Sequence, residues 1–208
     1  MSYLYLTSDA HLGHANIAIF CDRPVVLPED LNDDGWWVSR EAAIQCAKRM
    51  DEWIISRMNS RIKPEDTVIH VGDFCNKGRN VGVEGLRNKA EYYEDRLNGK
   101  WIFVTGNHDG NNGLKSTIDF MKMRMGRKQV FIRHHPVYDY GEIPEDTDFC
   151  AVGHVHEKWQ YRFIEGTYIP NINVGLDAQG YYPVRLDELV GQYHRIMNKE
   201  LGNGRNKS

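Results

Sequence analysis

Apolar residues fall along this chain in two rhythms. Six short runs, Tyr3–Thr7, Thr67–Val71, Trp101–Thr105, Gln129–Arg133, Phe149–Val152 and Tyr168–Val174, are rich in Val, Ile, Tyr and Phe and are bounded by Gly, Asp, Asn or Pro. That composition and punctuation predict β-strands. Between the first two runs, Ala43, Cys46, Ala47, Met50, Trp53 and Ile54 recur at spacings of three and four, which puts them on one face of a helix. Asp51, Glu52, Arg57 and Arg61 decorate the remainder of that helix, and Pro64 stops it, because a proline ring clashes with the preceding turn and lacks an N–H. Leu86, Ala90, Tyr93 and Leu97 repeat the pattern before the third strand, with Asn98-Gly99 as a C-cap signal. Strand–helix–strand–helix–strand predicts an α/β fold with an at least partly parallel sheet. Lys77–Gly85 and Gly110–Gly113 read as loops, and Asp22–Trp36, with two prolines, as a longer connection. Residues 198–208 carry a single apolar side chain, Leu201, and are expected to form a flexible C-terminal tail behind a domain spanning 1–197.

Composition narrows the class. A chain of 208 residues suits one domain with a sizeable core. With 26 basic against 29 acidic residues, it lacks the excess positive charge of a dedicated polyanion binder. No apolar run approaches the roughly 18 residues that span a bilayer, and residues 1–14 carry neither the basic nor the apolar region of a signal peptide. A cytoplasmic location is therefore expected. Cys21, Cys46, Cys75 and Cys150 form no CxxC pair, which argues against a thiolate zinc knuckle or a disulfide framework. They are expected as small buried hydrophobes.

Six of the nine histidines, His11, His108, His134, His135, His154 and His156, fall within four residues of the end of an apolar run. Five clusters result: Asp9-Ala-His11, Gly72-Asp73, Gly106-Asn107-His108-Asp109, His134-His135-Pro136 and Gly153-His154-Val155-His156. In an open α/β sheet the carboxyl ends of strands form one rim where ligands bind, so the five should converge there. Residues i and i+2 of an extended segment point the same way, which would let Asp9 with His11, and His154 with His156, grip one cation. Glycines 72, 106 and 153 are expected to let the backbone turn sharply. Imidazole, carboxylate and amide donors without thiolate suit Mn, Fe, Zn, Co or Ni better than Ca or Mg. Asp9, His11, Asp73, Asn107, His134, His154 and His156 make seven candidates, enough for two ions sharing one carboxylate.

The order DxH, GD, GNHD, H, GHxH resembles the calcineurin-like metallophosphoesterase superfamily. The segments SDAHLGHANIAIFCDRP (8–24), KPEDTVIHVGDF (63–74), RLNGKWIFVTGNHD (96–109), GHVHEKW (153–159) and INVGLDAQGYYPVRLDEL (172–189) look like its small bacterial and phage-type phosphoesterases. The resemblance spans roughly residues 3–190. It implies a two-layer β sandwich flanked by helices, with the metal site at strand C-terminal ends. It further implies that Asp9, His11 and His156 hold one ion, that Asn107, His134 and His154 hold the other, and that Asp73 bridges them. The cofactors would be two divalent transition-metal ions, Mn favoured. A water or hydroxide between them would be the nucleophile, so no covalent phosphoenzyme is expected. His108 would serve the leaving group, with Asp109 orienting its ring; many members carry Glu at that place. His134 is taken as the ligand over His135, its fallback, because of its position before x-Pro. His14 is expected to contact substrate phosphate at the pocket mouth. Lys77 and Arg79, in the Gly-rich loop after Asp73, are assigned to substrate binding, although no fixed family role maps onto them.

Physical chemistry supports these roles separately. Two cations about 3.5–4 Å apart can clamp the attacking and leaving oxygens of a phosphoryl displacement, and imidazole is the side chain suited to acid catalysis near neutrality. Other features have plainer readings. His70, inside an apolar run, is expected to be buried and hydrogen-bonded to backbone, and His194 to be solvated. The basic stretch Lys115, Lys122, Arg124, Arg127, Lys128 and Arg133 reads as a solvated face before it reads as a nucleic-acid contact. Met121, Met123 and Met125, and the aromatics Trp159, Tyr161, Phe163, Tyr168, Tyr181 and Tyr182, read as packing. The expected reaction is hydrolysis of a phosphate mono- or diester. The alternatives are a nuclease or cyclic-nucleotide phosphodiesterase, and a non-catalytic metal-binding interaction module on the same fold. A P-loop is absent, and Glu157-Lys158 after His156 disfavours an HxHxDH metallohydrolase. Oligomeric state is open at this level.

Overall fold

A computed structural model of the protein describes residues 1–76, 89–115 and 117–205. Strands β1 (Leu4–Thr7), β2 (Thr67–Val71) and β3 (Lys100–Val104) run parallel in the order β3-β2-β1, and β9 (Val184–Arg185) pairs antiparallel with β1. A second sheet contains β4 (Phe120–Met125), β5 (Lys128–Arg133), β6 (Phe149–Val152), β7 (Tyr161–Phe163) and β8 (Pro170–Asn173) in the order β4-β5-β6-β8-β7. Here β5, β6 and β8 are parallel, and the two outer strands are antiparallel to their neighbours. The helices are α1 (Ala15–Phe20), α2 (Arg40–Arg61), α3 (Lys89–Glu94) and α4 (Leu186–Arg205). The α/β class and the paired sheets flanked by helices are therefore as expected.

Side-chain alternation explains the layers, because successive residues of a strand face opposite sides. Leu6, Ile69, Val71 and Val104 of the first sheet meet Val130, Ile132, Phe149, Ala151 and Ile172 of the second in one core. The intervening residues Tyr5, Val68 and Phe103 face the other way, onto Cys46, Met50, Ile54 and Met58 of α2. Phe131, Cys150 and Val152 cover the outer side of the second sheet with Val137 and Ile143. Strands buried on both faces read as unbroken apolar runs, as β1 and β6 do; the edge strand β3, with Ile102 exposed, and β8, with Asn171 and Asn173, show instead through their aromatic and β-branched residues between turn residues.

The elements that were not visible have identifiable causes. In β4 the alternating Met121, Met123 and Met125 pack on the core while Phe120, Lys122 and Arg124 are exposed; its charges masked a period-two pattern. The β7 and β9 strands have three and two residues, and α1 has six, too few to show a period. In α4, Leu189, Tyr193 and Ile196 share one buried face. That helix continues to Arg205, so the polar stretch from 198 is helical as far as it is described. The helix α3 ends at Glu94, before Asn98-Gly99. Gly99 instead takes φ +94 in the turn into β3. Leu86, Lys77 and Arg79 lie outside the described residues.

The four cysteines are buried without disulfides. His70 is fully buried, but neither ring nitrogen has a hydrogen-bond partner, contrary to expectation. It packs against Phe74, Trp101 and Phe103, and burial lowers its pKa to about 3, so the ring is neutral. His194 is exposed, as expected. The basic stretch finds acidic partners elsewhere: Lys115 with Glu91, Lys122 with Asp146, Lys128 with Asp148 and Arg133 with Glu142. Trp159, Tyr161, Phe163 and Tyr181 pack against the cores, whereas Tyr168 is exposed. No helix of the described residues is long and apolar enough to cross a membrane.

Asp51 corrects the reading of α2. It is buried, not solvent-facing, and accepts hydrogen bonds from the Gly13 amide (2.7 Å) and the Tyr93 hydroxyl (2.8 Å). It thereby ties α2 and α3 to the loop carrying His11 and His14. Burial raises its pKa to about 7, outweighing both hydrogen bonds. The folded chain thus holds a proton that the unfolded chain releases near the ordinary aspartate pKa. Asp51 should cost stability progressively as pH rises from about 4 to 7. Asp51→Asn mimics the protonated form. Denaturation at about pH 4 should find variant and parent similar, and at pH 8 the variant should be more stable by on the order of 2–4 kcal/mol. A difference that does not change with pH would refute this role.

Candidate metal centre

The carboxyl ends of both parallel strand sets meet at one rim. Ser8 bridges to Gly175, which joins the end of β1 to the segment after β8. The Asp9 amide donates to Gly72 O, and that of Gly153 to His134 O. Each cluster read from the sequence lies just beyond a strand end: Asp9 and His11 after β1, Asp73 after β2, Asn107–Asp109 after β3, His134 after β5, and His154 and His156 after β6.

They converge, but not through extended backbone. Asp9, His11, Asp73, His154 and His156 have φ of +58, +48, +58, +73 and +49, the left-handed region that non-glycine residues adopt at a cost of order 1–3 kcal/mol each. Such strain persists where surrounding structure over-determines it, and functional sites are where it gathers. The glycines divide differently from expectation. Only Gly72, at φ +88, needs conformational freedom. Gly106 and Gly153 need room: a Cβ at 106 would collide with Asp73, and one at 153 with Ser8 and Asp9.

Ligand-type atoms of Asp9, His11 and His156 lie within 4.8 Å of one another, as do those of Asp9, Asp73 and His134, and of His134, His135 and His154. Asp73 stands between the groups. Its Oδ2 is 3.4 Å from His11 Nε2 and 3.3 Å from His134 Nε2. Asn107 Oδ1 is 3.0 Å from both His134 Nε2 and His154 Nδ1. His134 is buried and His135 is exposed. His134 Nδ1 faces Val71 O at 2.8 Å, leaving Nε2 for the centre, so the inward member of the pair is His134. His154 is exposed, its amide held by the Asp9 carboxylate.

The buried carboxylates and imidazoles shift one another. Burial raises the pKa of Asp9. Burial would also raise Asp73, but His134 and His11 hold it well below the usual carboxylate range. Burial would lower His134, but the Asp73 hydrogen bond and the charges of Asp9 and Asp73 outweigh it and raise it to about 9. Burial, with His134 and His135 nearby, lowers His154 to about 4. His11 is held well below its ordinary value, chiefly by burial. Its Nε2 is buried without a hydrogen-bond partner, although a buried polar atom normally has one. An orphaned imidazole nitrogen facing a carboxylate, with two buried carboxylates and further imidazoles around it, fits a divalent transition metal.

His108 is exposed beside this cluster, its ring 5.2 Å from that of His11 and 6.3 Å from that of His14. Its amide donates to Asp73 Oδ1 at 2.7 Å. Asp109 does not orient that ring. Its Oδ2 accepts from the amides of Asp73 and Gly106, and its Oδ1 from the Phe74 amide and Asn112 Nδ2, all at 2.8–2.9 Å. A carboxylate with four donors has little capacity left, so Asp109 locks the Asp73 turn onto the Gly106 turn. His14 is half-buried, its ring 5.6 Å from that of His11.

Sequence reasoning missed Arg23 and Asp177. Both side chains are fully buried and paired, Arg23 Nε to Asp177 Oδ1 at 2.9 Å and Nη2 to Oδ2 at 3.0 Å. Asp177 Oδ2 also lies 2.8 Å from His156 Nδ1. Both residues sit inside the quoted motif segments, but nothing local marks either as a partner of the other.

The chain belongs to the calcineurin-like phosphoesterase family, whose family model matches residues 4–173. Over 190 residues it is 27% identical to an uncharacterized protein of Methanocaldococcus jannaschii, covering 91% of this chain and 90% of that one. The crystal structure of a protein of unknown function from Aquifex aeolicus shares the fold, with a TM-score of 0.62 at 21% identity, covering 92% of this chain and all of that one.

Proposed function

We propose that the protein is a dinuclear metal-dependent phosphoesterase that hydrolyses a phosphate mono- or diester. Asp9, His11 and His156 would hold one divalent transition ion, and Asn107, His134 and His154 the other, with Asp73 shared and Mn²⁺ the favoured metal. The observation that carries this reading is Asp73 Oδ2, within 3.4 Å of His11 Nε2 and 3.3 Å of His134 Nε2, with His11 Nε2 otherwise unpartnered. Bound there, the ions would supply Lewis-acid polarisation of the ester and a nucleophile at neutral pH. The chain's residues do the rest. Asp109 and Asp73 hold the turn that presents His108. His108, exposed and outside the ligand groups, donates a proton to the leaving oxygen. His14, on the same side of the cluster, contacts the substrate phosphate. The buried, unbridged thiols suit a reducing cytoplasm. The ion pairs along 115–133 already engage much of the charge that a nucleic-acid substrate would use.

The test is hydrolysis of bis-p-nitrophenyl phosphate and p-nitrophenyl phosphate by metal-stripped protein with and without added Mn²⁺. Turnover that requires the metal is expected, and the faster substrate sets the ester class. Failure to bind two equivalents of Mn²⁺ would overturn the dinuclear reading.

A further inference from the structure

We infer that Arg23 and Asp177 are positioning residues for one half of the centre, the Asp9–His11–His156 half, and act little on the other. The inference rests on the metal reading above and extends it to residues that touch neither ion nor substrate.

His156 has two ring nitrogens, and the structure gives each a direction. Nε2 faces Asp9 Oδ1 at 3.9 Å, with the His11 ring stacked at 5.2 Å and 25°. Nδ1 faces Asp177 Oδ2 at 2.8 Å. An ionised carboxylate only accepts, so Nδ1 carries the hydrogen, and Nε2 is the nitrogen available for a ligand's lone pair. Metal-bound histidines are commonly fixed in this way by a carboxylate behind them.

Asp177 is itself held by a two-pronged pair with Arg23, buried on both sides. The planar guanidinium matches a carboxylate in that geometry. Arg23 also holds backbone, since Nη2 donates to Asp9 O at 2.8 Å and Nη1 to Ala10 O at 3.0 Å. Those carbonyls belong to the left-handed turn that carries Asp9 and His11. One arginine therefore fixes the Asp9–His11 turn directly and His156 through Asp177, two segments about 145 residues apart in sequence. Removing a partner from a pair this buried leaves an uncompensated charge. On the other half, the His134 ring is held by Val71 O and the His154 ring by Asn107; neither ring contact involves Arg23 or Asp177, and the one link to the Arg23-held turn is the His154 amide on the Asp9 carboxylate, which Asp177 does not touch.

The test is Mn²⁺ titration of metal-stripped full-length protein, comparing the parent with Asp177→Asn and Arg23→Lys. Outer-shell substitutions typically cost 10–100-fold in metal affinity. One binding step should weaken by that factor in Asp177→Asn while the other is unchanged, with a smaller shift in Arg23→Lys. Lys122→Ala, which breaks an exposed ion pair, should leave both steps alone. Nitrogen-15 NMR of the Zn²⁺-loaded parent supplies a readout that does not depend on the variants folding, and should show His156 protonated at Nδ1 and metal-bound at Nε2. Two unchanged steps in Asp177→Asn, equal weakening of both, or the opposite tautomer would overturn the inference while leaving the phosphoesterase reading intact. A parent that binds no Mn²⁺ would overturn both.

Discussion

Asp73→Asn is expected to lose tight binding of one of two Mn²⁺ equivalents and to lower hydrolysis of an activated phosphodiester by on the order of 10³-fold or more, since metal ions supply several kcal/mol of transition-state stabilisation. The side chain is positioned for it. Oδ2 lies between His11 Nε2 and His134 Nε2, while Oδ1 accepts the His108 amide. Asn keeps the shape but replaces an acceptor with an N–H₂ donor and removes the charge. The backbone of residue 73 remains tied to Asp109, so the turn should survive, and circular dichroism should confirm that. Metal content is measured beside the rate. Two equivalents still tightly bound, with turnover within tenfold of the parent, would rule out a shared carboxylate at this position.

The second large effect is expected at His108. His108→Ala should lower kcat on an alkyl phosphate ester by about 10²–10⁴-fold, the range for loss of a positioned general acid, and should leave metal stoichiometry unchanged. The ring is exposed and belongs to none of the ligand groups, and the amide that donates to Asp73 Oδ1 is untouched by the substitution. Proton donation also makes a finer demand. The loss should be small for a p-nitrophenolate leaving group, which needs little protonation, and large for an alkoxide. A variant equally slow on both would assign His108 to phosphate binding, and one that loses metal would assign it to the centre itself.

Much of the architecture was legible because strand signals are local. Each of the six apolar runs lies on a strand, because Val, Ile and aromatic residues between turn residues mark a strand locally. The α2 face carrying Cys46, Met50 and Ile54 was equally plain from its spacing. The edge strands β4, β7 and β9 were not, because β7 and β9 are too short to carry a pattern and β4 carried its pattern under charge. Asp51 looked like a surface aspartate because its partners, Gly13 and Tyr93, are 38 and 42 residues away. His70 was placed correctly in the interior, but its lack of partners depends on which rings close around it.

The same division runs through the site. Sequence alone determined which residues offer ligand-type side chains and that they would gather at one rim. Donor type is a property of each residue, and following a strand end is a property of its neighbours. Only the tertiary structure decided how the residues are held. The left-handed turns at Asp9 and His11, the four donors that take Asp109 away from His108, and the Arg23–Asp177–His156 chain all depend on contacts between distant segments. Arg23 and Asp177 are 154 residues apart, and a hydrogen bond across that separation leaves no period, spacing or composition in the chain that makes it.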